Sequence, residues 1–311
     1  MKNLSYPQPI VAIDVDLAGD ILRVVTSGLP ALVSRNATDA LNELQSEHEL
    51  LRDFLNLPPN GNHLINSCLL YPPFEQGADG ALFLASRFAY APYAGTALMA
   101  AATVLAQAQD NTDRRLFEFE TAQGAMGVEL IRNNNIVTRA KWFVETPKLL
   151  INDGKLQREA GGTAAVSIVD AGLPYLVVDS DKLGIELSDH SKLSTTAIEL
   201  SAVAGNQFPM AQSDMVDNYS QYLVMFTSKV VDNHIKTVWV SDKGEVANSA
   251  GGTGALAVFI ACKENGSLKP ESQALIEAPG GTFTCGISGN QASVTANIRI
   301  VAKHTFNPAP R

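Results

Sequence analysis

Two segments of this chain are apolar on nearly every side of a helix, and both open on glycine and threonine. The first runs from Ala94-Gly95-Thr96 into Ala97-Leu98-Met99-Ala100-Ala101-Ala102-Thr103-Val104-Leu105, and the second from Gly251-Gly252-Thr253-Gly254 into Ala255-Leu256-Ala257-Val258-Phe259-Ile260. A helix without a polar face must be enclosed by other elements, so each is expected inside a domain, its amino end pointing at a cleft. A helix start carries unpaired N–H groups and about half a positive charge, and small residues there admit a ligand to the backbone. Two such starts facing one cleft would hold a small carboxylate. The residues in front of the two glycine elements, Ala94 and Gly251, cannot move a proton.

The bulk properties narrow the partners. At 311 residues the length favours two domains of about 150 residues. A hydrophobic fraction of 46% and a charged fraction of 18% belong to a compact globular protein. Net charge is -9 with scattered lysines and arginines, which excludes nucleic acid and anionic membranes as partners. Cys68, Cys262 and Cys285 are odd in number and lack metal-ligand spacing, which points to a reducing compartment. Met1 to Pro7 has no apolar signal core, and no stretch approaches the roughly eighteen apolar residues of a membrane span, so the expected location is cytoplasmic. His63, His190, His234 and His304 show no metal spacing; neither metal nor cofactor is expected.

A second repeat accompanies the first. Val25 to Val33 resembles Val169 to Val177, each reading as a strand, a Gly-Leu-Pro turn (Gly28-Leu29-Pro30 and Gly172-Leu173-Pro174) and another strand. The offsets are 144 residues for the turn (172 minus 28) and 157 for the helix start (252 minus 95), within one loop insertion of each other. Two domains of one plan follow, strand-rich and each around a central helix. Strands are predicted at Ile10 to Asp14, Ile21 to Val25, Ile65 to Leu70, Gly80 to Ser86, Arg115 to Glu120, Gly124 to Leu130, Leu223 to Phe226, Ile235 to Val240, Gly280 to Cys285 and Ala292 to Val301. Leu41, Leu44, Leu50 and Leu51 predict an amphipathic helix over Asn36 to Leu55, and Asn265-Gly266 ends the second apolar helix. The boundary between the domains is placed near residue 120.

Taken in order, these residues resemble the proline racemase family, within the diaminopimelate epimerase-like superfamily. Ala12-Ile13-Asp14, Ala18-Gly19-Asp20, Arg23-Val24-Val25 and Gly28-Leu29-Pro30 follow the family's opening Asp-Ser-His-Thr-Ala-Gly-Glu-Pro-Thr-Arg-Val-Val segment in order and spacing. Tyr93-Ala94-Gly95-Thr96 falls where the family has Met-Cys-Gly-His, and Ala247 to Gly254 where it has Asp-Arg-Ser-Pro-Cys-Gly-Thr-Gly. The resemblance implies an α/β (α+β) fold of two pseudo-repeated barrel-like domains, each around a central helix, with a closed inter-domain site and a possible homodimer. It also implies that the last strand returns to the first domain, giving 1–120 plus about 296–311 as the first domain and 121–295 as the second. The family's two facing cysteines correspond to Ala94 and Gly251, its histidine to Thr96, its amine-holding aspartate to Ala247 and its opening histidine to Asp16. What remains of the site is a main-chain cradle at Gly95, Thr96, Gly252, Thr253 and Gly254.

With both thiols replaced, two-cysteine racemisation is expected to be absent; loss of even one general acid or base costs about 10²- to 10⁴-fold. Candidate replacements are Asp16, with Asp20 nearby in the same glycine turn, and the hydroxyls of Thr96 and Ser249. Each has a plainer role as a turn, cap or ligand hydrogen-bond residue. Tyr93 could close over a ligand or simply pack. Cys68 and Cys262 lie in apolar runs and read as buried inert thiols. Gly252-Thr253-Gly254-Ala255-Leu256-Ala257 formally fits a dinucleotide fingerprint, but no hydrophobic strand directly precedes it. The expected partner is a small carboxylate, an amino or imino acid relative. The activity, where present, is isomerase or lyase chemistry at the α-carbon; the alternative is a catalytically silent ligand-binding protein.

Overall fold

The computed structural model describes residues 8–62, 65–86, 89–108, 114–159, 161–209, 222–269 and 273–308; Met1 to Pro7 and His63 lie outside them. The chain forms two compact units, Met1–Phe143 with Ala296–Arg311, and Val144–Thr295.

In the first unit, strands β1 (Ile10–Leu17) and β2 (Asp20–Ser27) form a hairpin, followed by helices α1 (Ala37–Glu47) and α2 (Glu49–Asn56). Strands β3 (Ile65–Tyr71), β4 (Gly80–Ala85) and the short β5 (Tyr90–Ala91) lead into α3 (Gly95–Ala108), and β6 (Leu116–Thr121), β7 (Gly124–Asn133) and β8 (Ile136–Glu145) come after it. The final strand, β16 (Gln291–Phe306), stands between β8 and β1 and closes the order β1-β2-β3-β4-β6-β7-β8-β16 into a ring of eight. Helix α3, buried from Gly95 through Val104, packs against β1, β2, β3, β4 and β7, so the ring encloses it. The outer face of the sheet is covered by Ala40, Leu41, Leu44, Leu51 and Leu55 of α1 and α2, which meet Ile10, Val25, Leu69 and Phe83.

The second unit holds β9 (Lys148–Gln157), β10 (Thr163–Asp170), β11 (Pro174–Asp179), α4 (His190–Gln207), β12 (Leu223–Thr227), β13 (His234–Val240), α5 (Gly252–Glu264), β14 (Ala274–Ala278) and β15 (Gly281–Ser288). Strand neighbours run β9-β10-β11-β12-β13-β14-β15, with β16 next to β15. Helix α5 is the enclosed element, touching β9, β10, β11, β12, β14 and β15, while Leu193, Ala197, Leu200 and Ala204 of α4 cover the other face of the sheet. Strands covered on both faces must be apolar at consecutive positions, which is why Leu223 to Phe226 shows no alternation.

The two units repeat one topology. Pairing along β1-β2-β3-β4-β6-β7 is antiparallel, parallel, antiparallel, parallel, antiparallel, and the same series recurs along β10-β11-β12-β13-β14-β15. The buried helix precedes β6 in one and β14 in the other. This register corrects one of the two sequence repeats. Gly172 joins β10 to β11, so its counterpart is Gly19, between β1 and β2, an offset of 153 residues (172 minus 19); Gly28 follows β2 instead. Both hairpin glycines adopt positive φ, 83° and 85°, and each turn is closed by an aspartate: Gly19 N donates to Asp16 Oδ1 at 3.1 Å, and Gly172 N to Asp170 Oδ1 at 3.0 Å. No strand follows Pro30. The N–H groups of Val33 and Ser34 donate to the Glu43 carboxylate, and Asn36 then caps α1.

Two further differences have physical causes. The helix expected over Asn36 to Leu55 breaks at His48, whose ψ of 23° ends α1 and starts α2. The boundary falls at Phe143/Val144 rather than near 120, because β6 pairs with β4 and carries β7 and β8 into the first ring. Among the described residues no helix is long and apolar enough to cross a membrane.

The first ring is tied to α2 by one buried cation. Arg23 is 3% exposed and makes a two-pronged pair with Asp14 (Nε–Oδ1 2.9 Å, Nη2–Oδ2 3.1 Å). Its Nη1 donates to the carbonyls of Leu55 at 3.0 Å and Asn60 at 2.6 Å, and His304 Nε2 lies 2.9 Å from Asp14 Oδ2. Arg23→Met leaves the buried Asp14 with His304 alone and two carbonyls without a donor, so chemical denaturation should show a loss of about 3 kcal/mol.

Candidate functional site

At the first helix start, glycine is required by an aromatic neighbour. A Cβ on Gly95 would lie 2.2 Å from the buried Trp142 ring, so only a bare backbone fits there. Tyr93 packs on the same indole with ring centroids 5.9 Å apart, giving it a structural contact in addition to its place before the glycine. Ala94, half-buried, accepts the first helical hydrogen bond from Leu98 at 3.1 Å. Thr96 is buried in the first turn, and its hydroxyl stands near enough to the carboxyl of Asp20, at the start of β2, to favour its charged form.

That contact joins residues the sequence did not connect. Burial pushes the Asp20 carboxyl up to about 6; the Thr96 hydroxyl opposes the shift and the Asp16 charge adds to it. The sequence offered Asp16 as the leading carboxylate, with Asp20 beside it. The structure engages both oxygens of Asp16, Oδ1 with Gly19 N and Oδ2 with Arg299 at 2.8 Å, and Asp170 repeats the turn-closing role in the other unit. The opening motif contains Asp20, but its burial and its threonine neighbour, 76 residues away (96 minus 20), come from the fold.

The second helix start is built differently. Gly251 caps α5 at φ 64° and ψ 161°, a conformation reserved in practice for glycine, although a Cβ there would meet nothing within 4 Å. Ser249 Oγ accepts the Gly251 N–H at 3.2 Å, and the Gly251 carbonyl accepts the Ala255 N–H at 3.0 Å. The Thr253 hydroxyl lies 2.8 Å from the Tyr175 hydroxyl, and a Cβ on Gly254 would come within 3.1 Å of the Met225 sulfur. Ser249 is thus a backbone-holding hydroxyl in this structure, and no titratable side chain stands at residues 251–254.

The three thiols sit elsewhere. Cys68, Cys262 and Cys285 are all buried, and burial holds each thiol above its ordinary range, Cys262 at about 12. A thiol so raised carries almost no thiolate at neutral pH. Among the described residues no group of three or more His, Cys, Asp and Glu side chains is arranged to hold a metal ion.

Comparison with known proteins agrees with this architecture. The family model for proline racemase matches residues 12–305. The chain is 23% identical over 296 residues to a 4-hydroxyproline 2-epimerase of Agrobacterium fabrum, covering 92% of this chain and 85% of that protein. It is 22% identical to a 4-hydroxyproline epimerase of Brucella melitensis, covering 93% and 89%. Among solved structures, a hydroxyproline epimerase from Agrobacterium vitis with bound trans-4-hydroxy-L-proline superposes with a TM-score of 0.81 at 21% identity, covering 97% of this chain and 94% of the other. A probable proline racemase from Agrobacterium radiobacter with bound carbonate gives 0.80 at 19% identity, covering 95% and 92%. With a family match across nearly its whole length and two enclosed-helix units of that fold, the chain belongs to the proline racemase family.

Proposed function

We propose that this protein binds a small carboxylate, an amino or imino acid or a close relative, through main-chain amides at its enclosed-helix starts, Gly95 and Thr96 in the first unit and, considered by itself, Gly252, Thr253 and Gly254 in the second, and acts at the carbon next to that carboxylate as an isomerase or lyase. The cradle needs no basic side chain, because helix starts supply the positive potential. The relatives crystallised with trans-4-hydroxy-L-proline and with carbonate support a carboxylate-sized anion as the ligand. Ala94 and Gly251 stand where the family motifs place their cysteines, so proton transfer by a thiol pair is not the route in this reading.

The observation that carries a catalytic role is Asp20 beside Thr96. A carboxyl raised to about 6 is mostly ionised at neutral pH yet still basic enough to take a proton from an activated α-carbon. Asp16, Thr96 and Ser249 then serve to shape the turn, hold Asp20 and fix the α5 start. The second reading, a silent binder, draws on Gly251, whose backbone conformation leaves the α5 start without any proton-carrying side chain.

Incubation in D₂O with proline, the hydroxyprolines and other small carboxylates, followed by NMR at the α-position, separates the two. Under the catalytic reading, deuterium enters with a rate that rises through about pH 6, and Asp20→Asn lowers it by about 10²-fold or more. Thermal stabilisation by a ligand without exchange supports the binder; neither effect removes both readings.

Stability supplies a separate check on Asp20. Because its carboxyl is raised when folded, the folded state holds a proton that the unfolded chain releases, so stability from this group is complete below its ordinary value of 3.8 and is lost as pH rises through about 6. Asp20→Asn should therefore be more stable than the parent at pH 8 and match it near pH 4 in paired melts.

Returning thiols to the site should not restore racemisation. Gly251→Cys must hold a side chain at φ 64°, which costs on the order of 1–3 kcal/mol, so the Ala94→Cys, Gly251→Cys double variant should melt lower and interconvert proline enantiomers weakly at best.

A further inference from the structure

The second unit contains a cavity of about 470 Å³ at the carboxyl end of α5, walled by β9, β10, β11, β12 and the last turn of the helix. Helix α5 has 13 residues and spans about 20 Å, so this cavity lies a full helix length from Gly251 and its neighbours. Its volume is in the range of small-molecule sites. Charges of both signs line it. Asp153, Asp179 and Glu264 are the acids, and Lys182 and Lys229 the bases.

Acids and bases both reach solvent: Asp153, Glu264 and Lys229 are exposed and Asp179 is half-buried. The end of α5 contributes its negative pole, and beside it the Cys262 thiol, 5% exposed, is raised by burial first and by the Asp179 charge second. The Lys182 side chain is 69% exposed with its ammonium 3.9 Å from Asp179. Glu264 is occupied by Lys263 at 3.2 Å. Among the described residues, Asp153 and Lys229 enter no ion pair, leaving one acid and one base of the cavity to meet a ligand.

We infer that this cavity is a second small-molecule site, which takes an amino acid zwitterion with its ammonium toward Asp153, Asp179 and the carboxyl end of α5 and its carboxylate toward Lys229. A lone cation would leave Lys229 repelling it, and a lone anion would face Asp153 and the negative helix end; a molecule carrying both charges meets both unpaired groups. The site is independent of the helix-start cradle, and occupancy of one does not require the other.

The experiment uses the full chain, isotope-labelled, with L-glutamine as probe and n-butylamine and butyrate as single-charge controls. L-glutamine should shift the backbone amides of Ser228, Cys262 and Ser267, and bind at least several-fold more tightly than either control. Asp153→Asn and Lys229→Gln, both at exposed positions, should each weaken it by roughly fivefold, the size of one exposed charge contact. Shifts confined to residues 251–254, unchanged affinity in both charge variants, equal binding of n-butylamine, or no response up to about 20 mM probe would each overturn the inference. The amide map also separates the two sites: cavity shifts without cradle shifts count for this site whatever the cradle binds.

Discussion

A helix with no polar face is the constraint from which the rest of each unit follows. Alanine, leucine, valine and phenylalanine around the whole circumference of α3 and α5 leave no side that water can cover, so strands must pass on all sides. The ring of eight in the first unit and the run of strands about α5 in the second are the consequence. The same strands then need a cover on their outer face, which α1 with α2 and α4 provide. Enclosure also explains the small residues at each start. Gly95 lies against the Trp142 ring and Gly254 against Met225 and Tyr175, so glycine there is a packing requirement before it is a binding feature.

The internal repeat shows which features belong to the scaffold. Asp16 and Asp170 each accept the N–H of the hairpin glycine, from three residues before Gly19 and two before Gly172, which is a structural duty shared by both units. Asp20 has no such twin. The residue after Gly172 is Leu173 and β11 opens on Pro174, so the carboxyl beside Thr96 is an addition to the common plan. A feature present in one copy and absent from the other is the better candidate for chemistry, because folding alone does not ask for it.

Much of this was legible in the chain itself. Both enclosed helices, the Asn265-Gly266 stop and most strands appear where apolar runs and turn residues put them, since strands buried on both faces read as continuous hydrophobic segments. Strands β8 and β14 were not anticipated, and three further features were hidden. Helix α4 carries Leu193, Ala197, Leu200 and Ala204 among hydroxyl and charged residues, a stripe too sparse to stand out. Strand β9, Lys148–Gln157, has its apolar run Leu149-Leu150-Ile151 broken by Asn152-Asp153-Gly154, with Asp153 at φ 52° and shifts in register against β10. The Gly-Leu-Pro match misled because both turns need a positive-φ glycine, Gly28 at 80° and Gly172 at 85°, for different connections. At the site, glycine and threonine were readable as motifs, whereas the environment of Asp20 is set by tertiary contact and leaves no local trace.

The two helix starts differ in what they would tolerate, and the difference bears on chemistry. Ala94 already has a Cβ and helical hydrogen bonding behind it, so a longer side chain there strains no backbone torsion. Gly251 has open space around its missing Cβ but a φ of 64°, and the obstacle is conformational. Ser249 reinforces it by accepting the Gly251 N–H, which holds the torsion in place. A cysteine at position 251 would therefore require the 249–251 loop to refold as well as one residue to change. Under the proposed function this places proton transfer with the first unit, where Asp20 stands beside Thr96 at the foot of an enclosed helix, because the second helix start carries no side chain that could hold a proton.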